Sequence, residues 1–140
     1  MQKSPEYSDL MAEVTDFLAA ALERGEAAGI ERAQMLVDPG IGFGKTVAHN
    51  LEILRRLAEL ESLGSPVVVG PSRKRFIGVV TADRIVQNPE SRVQSPESRI
   101  EGTVAACVIA AMNGANVLRV HDVKPVVKAL KLADAVELRS

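Results

Sequence analysis

The segment DPGIGFGKT, Asp38 to Thr46, combines an acid, alternating glycines, a lysine and a threonine. It follows an apolar run and precedes a helical pattern, which is the setting of a phosphate-binding loop of the form G-x-x-x-x-G-K-[ST]. Its last three residues fit that motif, but Pro39 stands where the first glycine is required. Proline has no N–H and no positive φ, and the spacing counted from Gly40 is one residue short. The segment is therefore a near match to a phosphate-binding loop, and the proline weakens that interpretation.

Two further polar clusters follow apolar runs. The segment SRKR, residues 72–75, comes after PVVVG, and RVHDV, residues 119–123, continues the run NVL. In folds with parallel strands, ligands bind at the carboxyl ends of the strands. If the three runs are parallel strands, Asp38 would therefore meet several cations and His121 at one edge. This set favours an anionic substrate.

Each of these groups also has a purely structural interpretation. Asp38 before Pro-Gly could start a turn, and His121 could pack at a strand end. Asp122 could be the N-cap of the following helix. The cations of 72–75 could lie at a helix start, although there they would oppose the helix dipole. Agreement among three strand ends favours a functional interpretation over these separate ones.

The elements that would position these groups alternate between helix and strand. Helices are predicted from Ser4 and Pro5 to between Gly25 and Gly29, from about His49 to Leu60, in GTVAACVIAAMNGA and around Pro125. Strands are predicted at 35–38, 66–70 and 116–122. Such alternation predicts parallel strands joined by right-handed crossovers. The β-branched run 66–70 has no polar alternation, which indicates a sheet covered on both faces.

Helical periodicity also predicts which faces are buried. The third helix is apolar all round from Val104 to Met112, which predicts burial on both sides. The other expected apolar faces are Leu10, Val14, Phe17, Leu18, Ala21 and Leu22 in the first helix, Leu51, Leu54, Leu57 and Ala58 in the second, and Val126, Val127, Leu130, Ala133 and Val136 in the last.

Composition narrows the class of protein. A length of 140 residues predicts one domain. The net charge of −1 gives no basis for binding nucleic acid or an anionic membrane. Neither a signal-like start nor an apolar run of about 20 residues is present, so we expect a cytoplasmic protein. The single cysteine, Cys107, excludes an internal disulfide and a multi-cysteine zinc site, and its apolar setting predicts a buried thiol.

The tetrapeptide PESR occurs twice, at 89–92 and 96–99. Two short copies do not make a repeat architecture, which needs at least three longer units. We predict that residues 84–99 form an inserted, duplicated and flexible loop.

The segments DPGIGFGKT, GPSRKRFIG and RVHDV stand in the order and context found in dihydropteroate synthases. The chain resembles that family over nearly its whole length, apart from the repeat. The resemblance implies an α/β fold that is part of a (β/α)₈ TIM barrel, with about three parallel strands and alternating helices. It implies condensation of 4-aminobenzoate with (7,8-dihydropterin-6-yl)methyl diphosphate, giving dihydropteroate and pyrophosphate in folate biosynthesis. It further implies Mg²⁺ as cofactor and competition by sulfonamides.

The resemblance also implies roles for individual residues. Asp38 would bind the guanidine-like edge of the pterin, as a carboxylate binds arginine, and Phe43 would form a wall of the pterin pocket. Lys74 would hydrogen-bond the pterin near the aminobenzoate. Arg119 and His121 would bind the diphosphate and stabilise its growing charge, so they are the predicted catalytic residues together with Lys74. The remaining predicted substrate-binding residues are Gly70, Ser72, Arg73, Arg75 and Phe76.

A complete (β/α)₈ barrel takes about 250 residues. We therefore expect residues 1–140 to be the C-terminal portion of one pterin-binding barrel domain. Its active site would be incomplete, without a metal ligand of its own, and the isolated chain would be inactive. Open strand edges invite pairing, so a homodimer through the last helices or association edge to edge is expected.

Three other functions stay open. One is another pterin-binding barrel of the methyltetrahydrofolate–corrinoid methyltransferase type, which has no diphosphate leaving group for the cations to bind. Another is a P-loop nucleotide-binding module, which Pro39 opposes. The third is a non-catalytic remnant that associates through its helices.

Overall fold

The computed structural model describes residues 9–82 and 95–137. Within these ranges the α-helices are α1 (Leu10–Ala27), α2 (Val47–Arg55), α3 (Arg75–Thr81), α4 (Ile100–Met112) and α5 (Val123–Glu137). Short 3₁₀ helices occupy Arg32–Gln34, Leu57–Leu63 and Glu97–Arg99. Strands β1 (Val68–Val69) and β2 (Val117–Leu118) form a parallel pair, with Val68 opposite Val117 and Val69 opposite Leu118.

The predicted alternation of helices with parallel strands is confirmed, but the strands are shorter than predicted. Of the run 35–38, Val37 alone forms a parallel bridge, to Val67. Its N–H donates to the Pro66 carbonyl at 2.9 Å, and its carbonyl accepts from the Val68 N–H at 2.8 Å. The Arg119 N–H extends the β1–β2 pairing by donating to the Val69 carbonyl at 3.0 Å. The three runs therefore lie side by side, with their carboxyl ends at one edge.

Within the described residues, helix α1 begins at Leu10. Asp9 is its N-cap, and the carboxylate accepts from the Met11 and Ala12 N–H groups at 3.1 and 3.2 Å. The predicted start at Ser4 lies outside the described residues. The helix ends at Ala27, between Gly25 and Gly29 as predicted, and it includes Gly25 because glycine lowers helix stability without ending a helix by itself.

Helix α2 has a capping box in place of the predicted start at His49. The Thr46 hydroxyl accepts from the His49 N–H at 3.2 Å, and the Thr46 N–H donates to His49 Nδ1 at 3.3 Å. The α-helical hydrogen bonding ends at Arg55, and the chain continues as the 3₁₀ helix Leu57–Leu63. Gly64, with φ 65°, ends that segment in the left-handed conformation.

The hydrophobic core lies on one face of the sheet, and several predicted core residues are outside it. Phe17 is 68% exposed and Leu51 44% exposed. Ala58, Val127 and Val136 are exposed as well. Periodicity identifies an apolar stripe but not how far a neighbouring element covers it. The largest fully buried apolar side chains are Met11, Ile41, Ile53, Leu57, Leu60 and Val69.

Helix α4 is buried on one side, whereas burial on both sides was predicted. Thr103, Cys107 and Ala110 are each 0% exposed, while Ile109 is 47% and Met112 58% exposed. The buried Cys107 confirms the prediction of an inaccessible thiol, and burial raises the pKa of that thiol to about 11. The all-round apolar pattern is real, but the described elements cover only one side of it.

The sheet is likewise covered on one face, in contrast to the prediction of two covered faces. Val37, Val67 and Val69 are at most 3% exposed. On the opposite face Leu36 is 55% and Val117 42% exposed. Because side chains alternate along a strand, the open face is the one that Asp38 and the other strand-end groups share.

The repeated segment is only partly described. The flexible insertion predicted for 84–99 stays a prediction, and the first PESR copy lies outside the described residues. The second copy contains the 3₁₀ helix Glu97–Arg99, and Arg99 is buried at 7% exposure. In the parts of the chain that the structure describes, no helix has the length and apolarity needed to cross a membrane.

Candidate active site

Asp38 ends the first parallel run and is exposed at the shared edge. Its Oδ1 accepts from the Gly40 N–H at 2.8 Å, so the predicted turn is present. That bond uses one carboxylate oxygen, and Oδ2 accepts no hydrogen bond from any residue that the structure describes. The turn therefore orients the carboxylate and leaves an acceptor for a ligand.

The glycine-rich loop after Asp38 is fixed from below by Asn50. The Gly42 N–H donates to Asn50 Oδ1 at 2.7 Å, and Asn50 Nδ2 donates to the Thr46 carbonyl at 2.7 Å. Asn50 is 2% exposed, so both bonds are partly shielded from water. The sequence pattern indicates Asn50 only as part of a helix start. Its role could have been recognised from a polar side chain four residues after the cap, at the base of the loop.

Lys45 closes the same loop and does not project from it. Its Nζ donates to the Gly40 carbonyl at 3.1 Å and to the Phe43 carbonyl at 3.3 Å. Partial burial lowers the pKa of Lys45, and the charge of Asp38 acts in the opposite direction. A P-loop lysine must reach outward to phosphates, so this geometry does not support the nucleotide-binding alternative.

Lys74 connects the glycine-rich loop to the loop that follows β1. Its Nζ lies 3.7 Å from the centroid of the Phe43 ring, a cation–π contact. Its aliphatic stem crosses Gly42, where an added Cβ would come within 2.6 Å of Cδ. Partial burial is the main cause that lowers the pKa of Lys74; Arg119 lowers it further and Asp38 raises it. The ammonium thus lies within the electrostatic influence of both strand-end groups.

Ser72 and His121 join the ends of β1 and β2. Ser72 Oγ lies 2.9 Å from His121 Nδ1 and accepts from the His121 backbone N–H at 3.2 Å. Ser72 is 5% exposed, whereas His121 is exposed. The hydroxyl has one donor and two acceptor positions, so it can pair with Nδ1 in either tautomer of the neutral ring while it accepts from the backbone N–H.

Arg119 lies across Gly70, at the carboxyl end of β1. A Cβ at Gly70 would be 3.3 Å from Nη2 and 3.4 Å from Nε, so a side chain there would crowd the guanidinium. Gly70 is buried beneath it, and Arg119 itself is exposed. Two cations, Arg119 and Lys74, therefore share this edge, as expected for an anionic ligand.

Arg73 and Asp122 form an ion pair that the sequence pattern does not indicate. Arg73 Nε donates to Asp122 Oδ2 at 3.1 Å, and Nη2 donates to Oδ1 at 3.0 Å. These hydrogen bonds lower the pKa of the Asp122 carboxyl. Asp122, predicted as an N-cap, directly precedes α5 and is also the anchor of Arg73. Its position next to His121, at a strand end, was the available signal.

The predicted site residues are only partly brought together. Phe76 is 5% exposed and belongs to the hydrophobic core, so it does not line the edge. Arg73 turns its guanidinium to Asp122, and Arg75 is exposed at the start of α3. The shared edge carries Asp38, Phe43, Gly70, Ser72, Lys74, Arg119 and His121. Among the described residues, no group of three His, Cys, Asp or Glu side chains could hold a metal ion.

Comparison with known proteins identifies relatives of this arrangement. A family model described as "Pterin binding enzyme" matches residues 1–121. The chain is 42% identical over 135 residues to dihydropteroate synthase of Escherichia coli K12, covering 96% of this chain and 44% of that protein. It is 39% identical over 135 residues to dihydropteroate synthase of Mycobacterium leprae, with 95% and 45% covered.

Solved structures give the same result. Dihydropteroate synthase from Xanthomonas albilineans in complex with 7,8-dihydropteroate has a TM-score of 0.85 at 43% identity, covering 96% of this chain and 48% of that one. The Yersinia pestis enzyme in a sulfonamide drug complex has a TM-score of 0.88 at 41% identity, covering 99% and 47%. The chain thus spans about half the length of these relatives. The similarity confirms the predicted fold class, part of a (β/α)₈ barrel.

Proposed function

The chain belongs to the family of pterin-binding enzymes, and from that premise we propose that it carries part of a dihydropteroate synthase active site. In the proposed reaction the amine nitrogen of 4-aminobenzoate attacks the methylene carbon of the pterin diphosphate. The carbon–oxygen bond to the diphosphate breaks, and pyrophosphate leaves with the bonding electron pair. The amine proton goes to solvent, and dihydropteroate is formed.

The observation that carries this proposal is the meeting of Asp38, Lys74 and Arg119 from three parallel runs at one edge. A carboxylate suits the paired donors of a pterin, and cations suit a diphosphate. The Xanthomonas albilineans relative has been solved with 7,8-dihydropteroate and with 4-aminobenzoic acid. The same ligands would explain why one edge of this chain holds an exposed acid, an exposed arginine and a half-buried lysine.

Each side chain has a distinct part in the proposed mechanism. Asp38 accepts hydrogen bonds from the pterin's amino edge, and the Phe43 ring forms a flat wall beside it. Lys74 donates to the pterin and keeps the ring against Phe43. Arg119 and His121 bind the diphosphate, whose charge grows as the carbon–oxygen bond breaks. They therefore stabilise the transition state more than the ground state.

The aminobenzoate subsite is proposed to lie at the loop 72–75. Ser72 orients His121 and has little exposed surface of its own. Arg75 is exposed at the first turn of α3 and does not line the edge itself, and it is the proposed partner of the aminobenzoate carboxylate because Arg73 is paired with Asp122. Phe76 supports the loop from the core and is left out of the proposed binding surface.

Mg²⁺ would neutralise charge on the departing diphosphate. Among the described residues, no group of three acids, histidines or cysteines could hold such an ion. Mg²⁺ usually takes one or two carboxylates and completes its coordination with substrate phosphates and water, so the diphosphate would supply ligands. The roles proposed for Asp38, Lys74 and Arg119 do not depend on it.

The test compares two proteins: the 140-residue chain alone, and a joined protein in which the amino-terminal half of the Escherichia coli relative precedes it. Pterin-diphosphate binding is measured by calorimetry, and dihydropteroate formation is measured with labelled 4-aminobenzoate. The joined protein is expected to turn over and to lose at least about 100-fold in kcat/KM in Arg119→Ala, since removing one transition-state donor costs about that much.

Three results would contradict parts of this proposal. Binding of ATP but not of the pterin by a folded joined protein would refute the family function. Turnover by the isolated chain would show that its site is complete. Methyl transfer from a methyltetrahydrofolate, without use of pterin diphosphate, would favour the other class of pterin-binding barrel. Circular dichroism establishes that the joined protein is folded.

A further inference from the structure

Arg73 has a backbone conformation that L-residues rarely adopt. Its φ is 58°, and among the described residues it is the one non-glycine residue with positive φ. Such a conformation is unfavourable for a side chain with a Cβ and persists only where the surroundings impose it. Something in the fold must therefore hold this loop.

Hydrogen bonds with three residues outside the loop hold Arg73, and its Nη1 also lies 3.8 Å from Glu97 Oε1. Its N–H donates to Thr103 Oγ1 at 3.0 Å, and its carbonyl accepts from Arg99 Nη1 at 2.8 Å. Its guanidinium makes the two hydrogen bonds to Asp122. Thr103 is 0% and Arg99 7% exposed, so both backbone bonds are partly shielded from water.

Arg73 separates the two residues of its loop that reach the candidate site. Ser72 is directed to His121, and Lys74 is directed to Phe43. The left-handed turn at Arg73 sets the relative direction of these neighbours. A residue that enforces the turn therefore sets both contacts.

The path of Arg99 to this loop depends on a glycine in α3. A Cβ at Gly78 would lie 2.7 Å from Arg99 Nε and 3.4 Å from its Cδ. Any side chain at this position would displace the arginine. A buried arginine and a helical glycine, both costly for stability alone, are thus matched to each other.

We infer that Arg99, the last residue of the second PESR copy, is a positioning residue for the candidate site. It holds Arg73 in the left-handed turn and thereby places Ser72 against His121 and Lys74 against Phe43. The assignment of these side chains to substrate binding rests on the proposed function. The geometry of the turn at Arg73 does not rest on the proposed function. The positioning role of Arg99 and the proposed function can therefore be tested separately.

The test uses NMR on the 140-residue chain without ligand. In Arg99→Met, hydrogen exchange of the Arg73 amide is expected to accelerate about 10- to 100-fold, the range for losing a hydrogen bond from a charged donor. The Lys74 Cε and His121 ring signals should move toward their values in unstructured peptides. Exchange of the slowest α4 amides should change less than about threefold, because the helix itself stays folded.

Three further variants sharpen the result. Gly78→Ala should reproduce the Arg99→Met pattern, because it blocks the same path. Arg99→Lys keeps a charged donor and should restore part of the protection. Arg55→Met, the same change at an exposed arginine of α2, should leave all these signals unchanged.

Either of two results would overturn the inference. One is unchanged Arg73 exchange and unchanged Lys74 and His121 signals in Arg99→Met, with faster exchange throughout α4, which is the pattern of a packing residue. The other is an equal effect of Arg55→Met. Failure of pterin binding would count against the proposed function only, since no ligand is present in these measurements.

Discussion

At the scale of single residues, the position and the pKa of Lys74 both depend on several neighbouring residues. It lies over the Phe43 ring, crosses Gly42 and is influenced by charges of both signs. Partial burial lowers its pKa from 10.5, Arg119 adds to that effect and Asp38 opposes it. The balance of these influences can be measured one charge at a time.

We predict that Arg119→Met raises the pKa of Lys74 and that Asp38→Asn lowers it, because each change removes one neighbouring charge. A ¹³C titration of the Lys74 Cε measures both shifts. Since the folded-state pKa is below 10.5, the unfolded state binds more protons between the two values. The free energy of unfolding should therefore rise with pH in that window. An unchanged Lys74 pKa in both variants would mean that Lys74 lies too far from Arg119 and Asp38 to be influenced by their charges.

Gly42 offers a test of how closely the backbone must approach Lys74. It has φ 81°, and an added Cβ would lie 2.6 Å from Lys74 Cδ. Gly42→Ala is expected to lower the free energy of unfolding by about 1–2 kcal/mol from backbone strain and also to displace the lysine. Urea unfolding and the Lys74 Cε shift provide the measurements.

Gly44→Ala is the matched control for that prediction. Gly44 has φ 58°, but a Cβ added there would have no atom of a described residue within 4 Å, its chain neighbours aside. In this control the free energy of unfolding should fall because of backbone strain, whereas the Lys74 Cε shift should stay unchanged. Equal Lys74 shifts in the two variants would mean that loop distortion, and not contact at Gly42, moves the lysine.

The sequence predicted some site residues better than others, for identifiable reasons. Asp38, Lys74 and Arg119 follow strands, so parallel pairing alone brings them to one edge. Arg73 and Phe76 are as close to a strand in sequence, but they do not line that edge. One turns toward Asp122 and the other into the core. A left-handed turn at an arginine is not encoded by any turn motif, so its direction was not predictable.

At the scale of elements, the loops after β1 and β2 act as one unit. Ser72 with His121 and Arg73 with Asp122 provide four polar contacts between them. Neither β1 nor β2 is longer than two residues. The side-chain contacts therefore compensate for a short backbone ladder.

We predict that Asp122→Asn removes an acid-dependent part of stability. Arg73 lowers the pKa of Asp122 below 3.8, so its contribution is complete above that pH and is lost as pH falls through the folded-state value. The free energy of unfolding, measured with urea from about pH 6 to about pH 2, should decrease less with falling pH in the variant than in the original protein. Asparagine caps helices about as well as aspartate, so the change isolates the ion pair. Parallel pH profiles for both proteins would contradict the assignment.

Element boundaries were predicted less well than element order. The apolar runs 35–38 and 116–122 indicated strands, but extended pairing needs a partner along the whole run. The described residues give Val37 a partner on one side only. The buried face of α1 was overestimated at Phe17 for a related reason. A periodic stripe does not reveal whether a neighbouring element covers all of it.

At the scale of the whole molecule, the open sheet face is the notable feature. Leu36, Val68 and Val117 each stand two residues before a predicted site residue, and alternation places them on the same face. The site thus has an apolar floor that is exposed in this chain at Leu36 and Val117. The relatives are about twice as long. We propose that further strands of a barrel cover this floor.

A second exposed apolar surface lies on the outer helices and is defined by Ile109, Met112, Leu132 and Val136, which are 47% to 69% exposed. We call it the helix face. The helices α4 and α5 pack together, so their outer sides can present apolar groups near one another. Isolated apolar side chains are ordinary on a protein surface, but several on adjoining helices favour association.

We predict that the 140-residue chain forms a dimer through the helix face, with twice the monomer mass of 15.0 kDa. Sedimentation equilibrium measures the mass. The double variant Ile109→Lys and Met112→Lys should yield the monomer, because burying unpaired charge at an interface is costly. Leu36→Lys, on the sheet face, should leave the dimer intact. A monomer in Leu36→Lys and a dimer in the double variant would mean that two copies pair across the open sheet face. The second chain would then cover the floor of the candidate site.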